Sequence, residues 1–148
     1  MKTRDKYSYF VDSKKATINA LGLMSGTSLD GVDIAFIKTD AEKRIILKNT
    51  ITYPYKKSLI NNIQKFIDTR EGIKNTNYLL TKFHADCILS FIKTNNISYH
   101  DIDIVGFHGQ TIYHSPNESW TWQLGDGQYL STLINIPVVS NFRYRDIC

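Results

Sequence analysis

The chain has 148 residues, 42% of them hydrophobic and 22% charged, and its 18 basic and 14 acidic side chains leave a net charge of +4. That balance supports one domain with a buried core and excludes a disordered polyelectrolyte. The lysines are scattered, with no basic block interleaved with aromatics, which speaks against nucleic-acid binding, and no apolar run approaches a membrane span.

Residues 1–16 alternate charged and aromatic side chains and read as a polar N-terminal extension. They hold no apolar signal-peptide region, so the expected location is cytoplasmic. Strands are expected over 17–24, 32–38 and 44–53, the last ended by Pro54, which cannot donate to a ladder. Short links between them predict an antiparallel meander. Apolar residues at helical spacing predict helices over 57–68 and 77–94, the second capped by Asn75 or Thr76 and ended by Asn95-Asn96. His84 lies beside that helix's apolar stripe and reads as a surface or half-buried residue, and Cys87 as a small core residue. A short strand over 102–107 arrives after a helix, which suggests a parallel crossover. A small hairpin arm over 121–124, a helix over 128–134 and a strand over 137–140 complete the order. Cys87 and Cys148 form no metal-spaced motif. Three antiparallel strands, helices, then strand-helix-strand make an α/β fold. It has the pattern of a single lobe of the actin/hexokinase/Hsp70 (ribonuclease H-like) type: a mixed five-stranded sheet, meander plus parallel strands, with helices.

The stretch richest in chemistry joins the first two strands. Ser25, Gly26, Thr27, Ser28, Leu29, Asp30 and Gly31 form a small polar turn, followed by Val32 and Asp33. Glycines tolerate close approach, and backbone N–H groups with hydroxyls can cradle phosphates. The glycine spacing of a P-loop is present, but Val32-Asp33 stand where Lys and Ser/Thr are needed, and a strand follows instead of a helix. Either the turn is an ordinary hairpin, or it holds phosphates with amides and hydroxyls while Asp30 and Asp33 orient a hydrated Mg²⁺. A second string, Gly106-Phe107-His108-Gly109-Gln110-Thr111, is expected as a loop just beyond the fourth strand, where ligands gather in open α/β sheets. Its His108 and Gln110 suit sugar hydroxyls or an N-acetyl group, or else tie down the loop. His108 and His114 lack a third ligand for zinc. Asp126 either caps the following helix or marks an anion site at its N-terminus. Trp120 and Trp122 read as core, with a sugar-stacking platform as the alternative.

The run Gly26-Thr27-Ser28-Leu29-Asp30-Gly31-Val32-Asp33, preceded by Gly22-Leu23-Met24-Ser25, resembles the opening signature of the anhydro-N-acetylmuramic acid kinases. These are sugar kinases of the actin/hexokinase/Hsp70 superfamily, in which the signature is the ATP-phosphate hairpin. His108-Gly109-Gln110-Thr111 resembles their Ser-His-Gly-Gln-Thr string, with Phe107 in place of Ser. Trp122-Gln123-Leu124-Gly125-Asp126 and Pro137 to Asp146 resemble two further family stretches. Asn141 replaces an aspartate there, while Arg143 and Asp146 match.

The resemblance covers 21–146 and implies an ATP- and Mg²⁺-dependent kinase acting on an anhydro amino sugar in peptidoglycan recycling, with water opening the anhydro ring. It implies phosphate contacts from Ser25 to Asp33, and substrate contacts from His108, Gly109, Gln110, Thr111, Arg143 and Asp146. Arg143 would meet a lactyl carboxylate. The resembling kinases are much longer, and the aspartate that activates water would lie beyond Cys148. The expectation is therefore an N-terminal kinase lobe over 17–148, inactive alone, or active only where a separate chain supplies the second lobe. It should expose an apolar face for that lobe. The alternative is a non-catalytic remnant or partner-binding half.

Overall fold

The computed structural model describes residues 17–146. The polar extension over 1–16 and Cys148 lie outside the described residues. One mixed sheet holds β1 (Ile18–Ser25), β2 (Gly31–Thr39), β3 (Ile45–Pro54), β4 (Ile104–Ser115), β5 (Trp120–Leu124) and β6 (Val138–Ser140). The helices are α1 (Lys57–Thr69), α2 (Ile73–Thr94) and α3 (Gly127–Ile134). The strand order is β3-β2-β1-β4-β5, with β6 also paired to β4. β1, β2 and β3 form the expected antiparallel meander, and β4 joins β1 in parallel.

The sheet has six strands where five are expected. The addition is the 121–124 arm. It pairs with the far half of β4, from Gln110↔Leu124 to Ser115↔Trp120, while β6 pairs with the near half at Val105 to Phe107. A second partner at that edge explains why β4 runs to Ser115 instead of stopping at residue 107. The Gly106–Thr111 string therefore lies inside a strand, not in a loop beyond one.

Alternation decides the faces. Leu21, Leu23, Val32, Ile34, Val105 and Phe107 point to one side and are buried there. α1 packs Leu59, Ile63 and Phe66 into the same cluster, α2 adds Leu80, Ile88 and Phe91, and α3 adds Leu130 and Ile134. Phe66, Ile63, Leu80, Ile88, Phe91 and Leu130 are all essentially sealed from solvent. On the other side, Met24 is exposed.

The β1–β4 ladder carries one irregularity. Leu23 pairs with Phe107, but Ser25 pairs with Gln110, so β4 holds one residue more than β1 over that interval. Such a bulge needs a residue of unusual backbone conformation. Gly109 supplies it with φ of +73°. Its Cα also lies against β5, where an added Cβ would sit 2.3 Å from the Leu124 carbonyl oxygen. The extra residue lets Phe107 and Gln110 both enter the buried side.

α2 starts at Ile73, a turn earlier than expected, and neither Asn75 nor Thr76 caps it. Gly72 in the left-handed region ends the short link from α1, and its carbonyl accepts from the Thr76 N–H at 2.9 Å. The Asn95-Asn96 end holds as expected: the Asn95 side-chain amide donates to the Phe91 carbonyl, and Asn96 takes positive φ. Cys87 is buried, as expected. No helix among the described residues is long and apolar enough to cross a membrane.

His84 is a correction. It is fully buried, where a surface or half-buried place is expected. One helical turn separates it from Leu80 and Ile88, so it belongs to the core stripe. Its Nδ1–H donates to the Leu80 carbonyl at 2.9 Å, which leaves Nε2 to accept from the Ser25 hydroxyl at 3.2 Å. Burial lowers its pKa to about 4, against the raising effect of the Leu80 carbonyl and with a further lowering from nearby His108.

Two outcomes follow. The folded state holds His84 neutral, so the unfolded chain binds the extra proton between the ordinary histidine value and about 4. Stability is fully present above about pH 6.5 and is lost as pH falls toward 4, by roughly 2 kcal/mol at pH 5. Urea melts across that range should show the loss, and His84→Gln should abolish this part of the pH dependence. At the bulge, Gly109→Ala should cost roughly 2–4 kcal/mol in the same melts. Gly22→Ala, where an added Cβ meets nothing within 4 Å, should be near neutral.

Candidate functional site

The β1–β2 turn stands out from the end of the sheet. Thr27, Ser28 and Asp30 are exposed, whereas Ser25 and Gly31 at its two ends are buried. Gly31 must be glycine because β3 crosses it closely: an added Cβ would sit 2.3 Å from the Tyr53 carbonyl oxygen. Leu29 takes φ of +57°, and its N–H reaches back to the Gly26 carbonyl at 3.5 Å. The Ser28 hydroxyl donates to Asp30 Oδ1 at 2.8 Å. Asp33 is exposed on β2 and accepts from the Thr52 hydroxyl at 2.5 Å. The turn thus presents two carboxylates and two hydroxyls to solvent on a backbone fixed at both ends.

Below the turn lies a buried polar cluster. Gln110 is fully buried, and its Nε2 donates to the Gly26 carbonyl at 2.6 Å and to the Thr111 carbonyl at 3.0 Å. Two carbonyls can only accept, so the amide orientation is set. Gln110 Oε1 then accepts from the Tyr55 hydroxyl at 2.8 Å. Burial raises the Tyr55 phenol well above its ordinary value, partly offset by the Ser25 hydroxyl, so it is a neutral donor. The Tyr55 N–H donates to the Asp30 carbonyl at 3.1 Å. Ser25 and His84 complete the cluster. Among the described residues, no buried side-chain nitrogen or oxygen lacks a partner.

The rest of the His108–Thr111 string divides between the two sides of β4. His108 is buried, and its Nδ1–H donates to the Gly109 carbonyl at 3.0 Å. Its Nε2 accepts from Arg143 Nε at 2.8 Å, and its ring lies 6.1 Å from that of Phe142. Phe142 and Arg143 belong to a 3-10 turn, Phe142–Asp146, that follows β6. Asn141 enters that turn with φ of +61°, a conformation asparagine tolerates well. Phe142 also lines a shallow groove of about 580 Å³ with Met24, Asp33, Ala35, Thr52 and Gly106. His108 and Arg143, 35 positions apart, thus meet on the side of the sheet that carries Asp33.

Two sequence readings are decided here. Asp126 caps α3, accepting from the Tyr129 N–H at 2.9 Å. The tryptophans differ: Trp120 is half exposed and not core, whereas Trp122 is partly buried against the core as expected, its ring edge-on to Phe66 at 5.4 Å. They sit on β5, an edge strand that buries only part of such large rings. His114 is exposed beside them, with Nδ1 3.0 Å from the Thr121 hydroxyl. Among the described residues, no three His, Cys, Asp or Glu side chains gather to hold a metal.

Tyr55 and His84 take part in the cluster, although no sequence expectation falls on Tyr55 and His84 reads from the sequence as a surface or half-buried residue. The available signal for Tyr55 is its place directly after Pro54, where β3 hands over to α1. For His84 it is the helical spacing to Leu80 and Ile88.

The sequence profile of the anhydro-N-acetylmuramic acid kinases matches residues 18–148. An anhydro-N-acetylmuramic acid kinase of Zymomonas mobilis is 40% identical over 140 residues, covering 86% of this chain and 38% of that protein. Those of Nitrobacter winogradskyi and Rhodopseudomonas palustris are 39% and 41% identical, each covering 88% of this chain and 38% of the relative. The chain therefore spans well under half the length of the curated relatives it matches. A profile match over nearly the whole described lobe, together with identity near 40%, shows that the chain belongs to the anhydro-N-acetylmuramic acid kinase family.

Proposed function

We propose that this chain is the phosphate-binding lobe of an ATP-dependent kinase that phosphorylates 1,6-anhydro-N-acetylmuramic acid while water opens the anhydro ring. The observation that carries this reading is the exposed 26–30 turn, fixed at both ends and bearing Thr27, Ser28, Asp30 and, nearby, Asp33. Backbone N–H groups and hydroxyls from Ser25 to Asp33 would meet the phosphates. Phosphoryl transfer is mostly positioning and charge neutralisation, and a rigid turn with adjacent carboxylates suits both.

Two carboxylates on one end of a hairpin suit Mg²⁺ better than any all-protein cage, because Mg²⁺ keeps several waters and shares substrate phosphate oxygens. Asp30 and Asp33 would hold it through water, and the ion would neutralise charge on the phosphates. Ser28 and Thr52 orient these carboxylates by donating to one oxygen of each.

For the sugar, the reading assigns His108, Gly109, Thr111, Arg143 and Asp146. The His108–Arg143 pair is its strongest element, since it sets a guanidinium on the Asp33 side of the sheet. Arg143 would receive the lactyl carboxylate, and the His108 bond would fix its planar fork. The general base that activates water is assigned to the part of the relatives' length that this chain does not match. The lobe alone then binds but does not turn over. A second lobe supplied by a separate chain would complete the cleft, and the expected setting is the cytoplasm.

Calorimetric titration of the full chain with ATP, with and without Mg²⁺, tests this reading. Binding should require Mg²⁺, and Asp30→Asn and Asp33→Asn should each weaken it about tenfold, about 1.4 kcal/mol. Incubation with ATP and the anhydro sugar should give no phosphosugar. Absence of Mg²⁺-dependent ATP binding would sink the phosphate assignment, and turnover by the chain alone would sink the assignment of the base elsewhere.

A further inference from the structure

Gln110 and Tyr55 grip the two ends of one turn. The Gln110 amide donates to the Gly26 carbonyl at 2.6 Å, and the Tyr55 N–H donates to the Asp30 carbonyl at 3.1 Å. The two grips are joined, because the Tyr55 hydroxyl donates to Gln110 Oε1 at 2.8 Å. All of this lies beneath exposed residues: Gln110 and Tyr55 are buried, while Thr27 and Ser28 face solvent.

Peptide geometry turns this into a statement about direction. The Gly26 carbonyl and the Thr27 N–H belong to one planar trans peptide and point opposite ways. Drawing the carbonyl inward onto Gln110 sends the N–H outward. Gly26 itself would permit other orientations, since an added Cβ there meets only the Ser28 hydroxyl at 3.9 Å and glycine resists few backbone rotations. The turn's own Leu29 N–H reaches that carbonyl only at 3.5 Å, so the 2.6 Å bond from Gln110 is the stronger hold on the direction of the Thr27 N–H.

We propose that Gln110 and Tyr55 are positioning residues that aim the Thr27 N–H at a phosphate oxygen by holding Gly26 and Asp30 from below. The proposal rests on the phosphate reading of the turn given above. It moves Gln110 from the sugar side, where its residue type alone would put it, to the nucleotide side. The Gly109 bulge is what makes this possible, because it turns Gln110 to the buried face of β4 beside Ser25. The amide cannot be replaced by its nearest isostere. A glutamate in the same place would set one oxygen against both carbonyls: ionised it donates to neither, and protonated it donates to only one.

The test uses inorganic tripolyphosphate with Mg²⁺ as the probe, followed by ¹H–¹⁵N NMR on the full chain, so that no adenosine contact is needed. In the unaltered chain the Thr27 amide should shift on titration. Gln110→Glu should weaken tripolyphosphate binding about tenfold and move the Thr27 resonance in the free protein, with core amides such as those of Ile88 and Phe91 unchanged. Tyr55→Phe should weaken binding less, by about twofold to fivefold, because Gln110 keeps its bonds to both carbonyls. Should Gln110→Glu not fold, Gln110→Met serves in its place. No binding and no Thr27 shift in the unaltered chain would overturn the phosphate reading, and this proposal with it. Normal binding in that chain, with equal affinity and an unmoved Thr27 resonance in the Gln110 and Tyr55 variants, would overturn this proposal alone.

Discussion

The pairing of β1 with β4, and the one surplus residue it carries, is the constraint on which the site depends. Without the bulge at Gly109, strict alternation from Phe107 would place Gln110 opposite in sense to Phe107's buried side chain. With it, Phe107 and Gln110 share the buried side, and His108 turns to the other. A string of four polar and glycine positions is thereby distributed between two tasks. Gln110 joins the β1–β2 turn from beneath, and His108 joins Arg143 across the sheet. The close pass of the Leu124 carbonyl over Gly109 ties β5 to the same point.

Burying Ser25, Tyr55, His84 and Gln110 together is costly unless each polar atom finds a partner. Here each does, through bonds that link α2, β1, β4 and the β3–α1 link. In surroundings of low dielectric such a network is strong when complete and a liability when broken. It also defines which geometry is correct, because hydroxyl, imidazole and amide each fit in one sense only. An apolar cluster of equal volume would hold the layers together, but it would not fix the direction of the Gly26 carbonyl. The polar cluster therefore specifies the shape of the turn above it.

Much of the architecture was legible in the residues. β-branched runs gave the meander, helical spacing gave α1, α2 and α3, and the entry of β4 after a helix gave the parallel crossover. The polar turn from Ser25 to Asp33 was legible as a unit because its flanking strands are unmistakable. What escaped has physical reasons. A glycine inside a strand reads as a loop signal, since nothing local tells a bulge from a turn, so Gly106 to Thr111 reads as a loop beyond the strand. β5 escaped as a full member of the sheet because five residues with two tryptophans carry little periodicity. The start of α2 was missed because Gly72 closes it through backbone conformation, with no capping side chain. His84 has the spacing of the core stripe, but a polar ring on that stripe is buried only where a partner exists, here Ser25, 59 positions away. Gln110 has the same character: its residue type admits sugar recognition and buried bracing alike, and only the fold distinguishes them.

The charge on the turn bears on how it would work. Thr27 and Ser28 suit an anion, yet two carboxylates, Asp30 and Asp33, are exposed beside them. A bare polyphosphate approaching that end of the hairpin would be repelled by both carboxylates. A divalent cation reverses the sign of the interaction, since it is attracted by the carboxylates and by the phosphate together. On the proposed phosphate reading the same pair of aspartates would discriminate: it would oppose free polyphosphate and favour the metal complex, the form that carries a phosphoryl group ready for transfer. Such discrimination needs the carboxylates to keep their places when the ligand is absent. The Ser28 and Thr52 hydroxyls provide that by holding one oxygen of each aspartate. On that reading the turn's acidic residues would be part of its selectivity for phosphate, with the buried clamp below holding the backbone at Gly26 and Asp30.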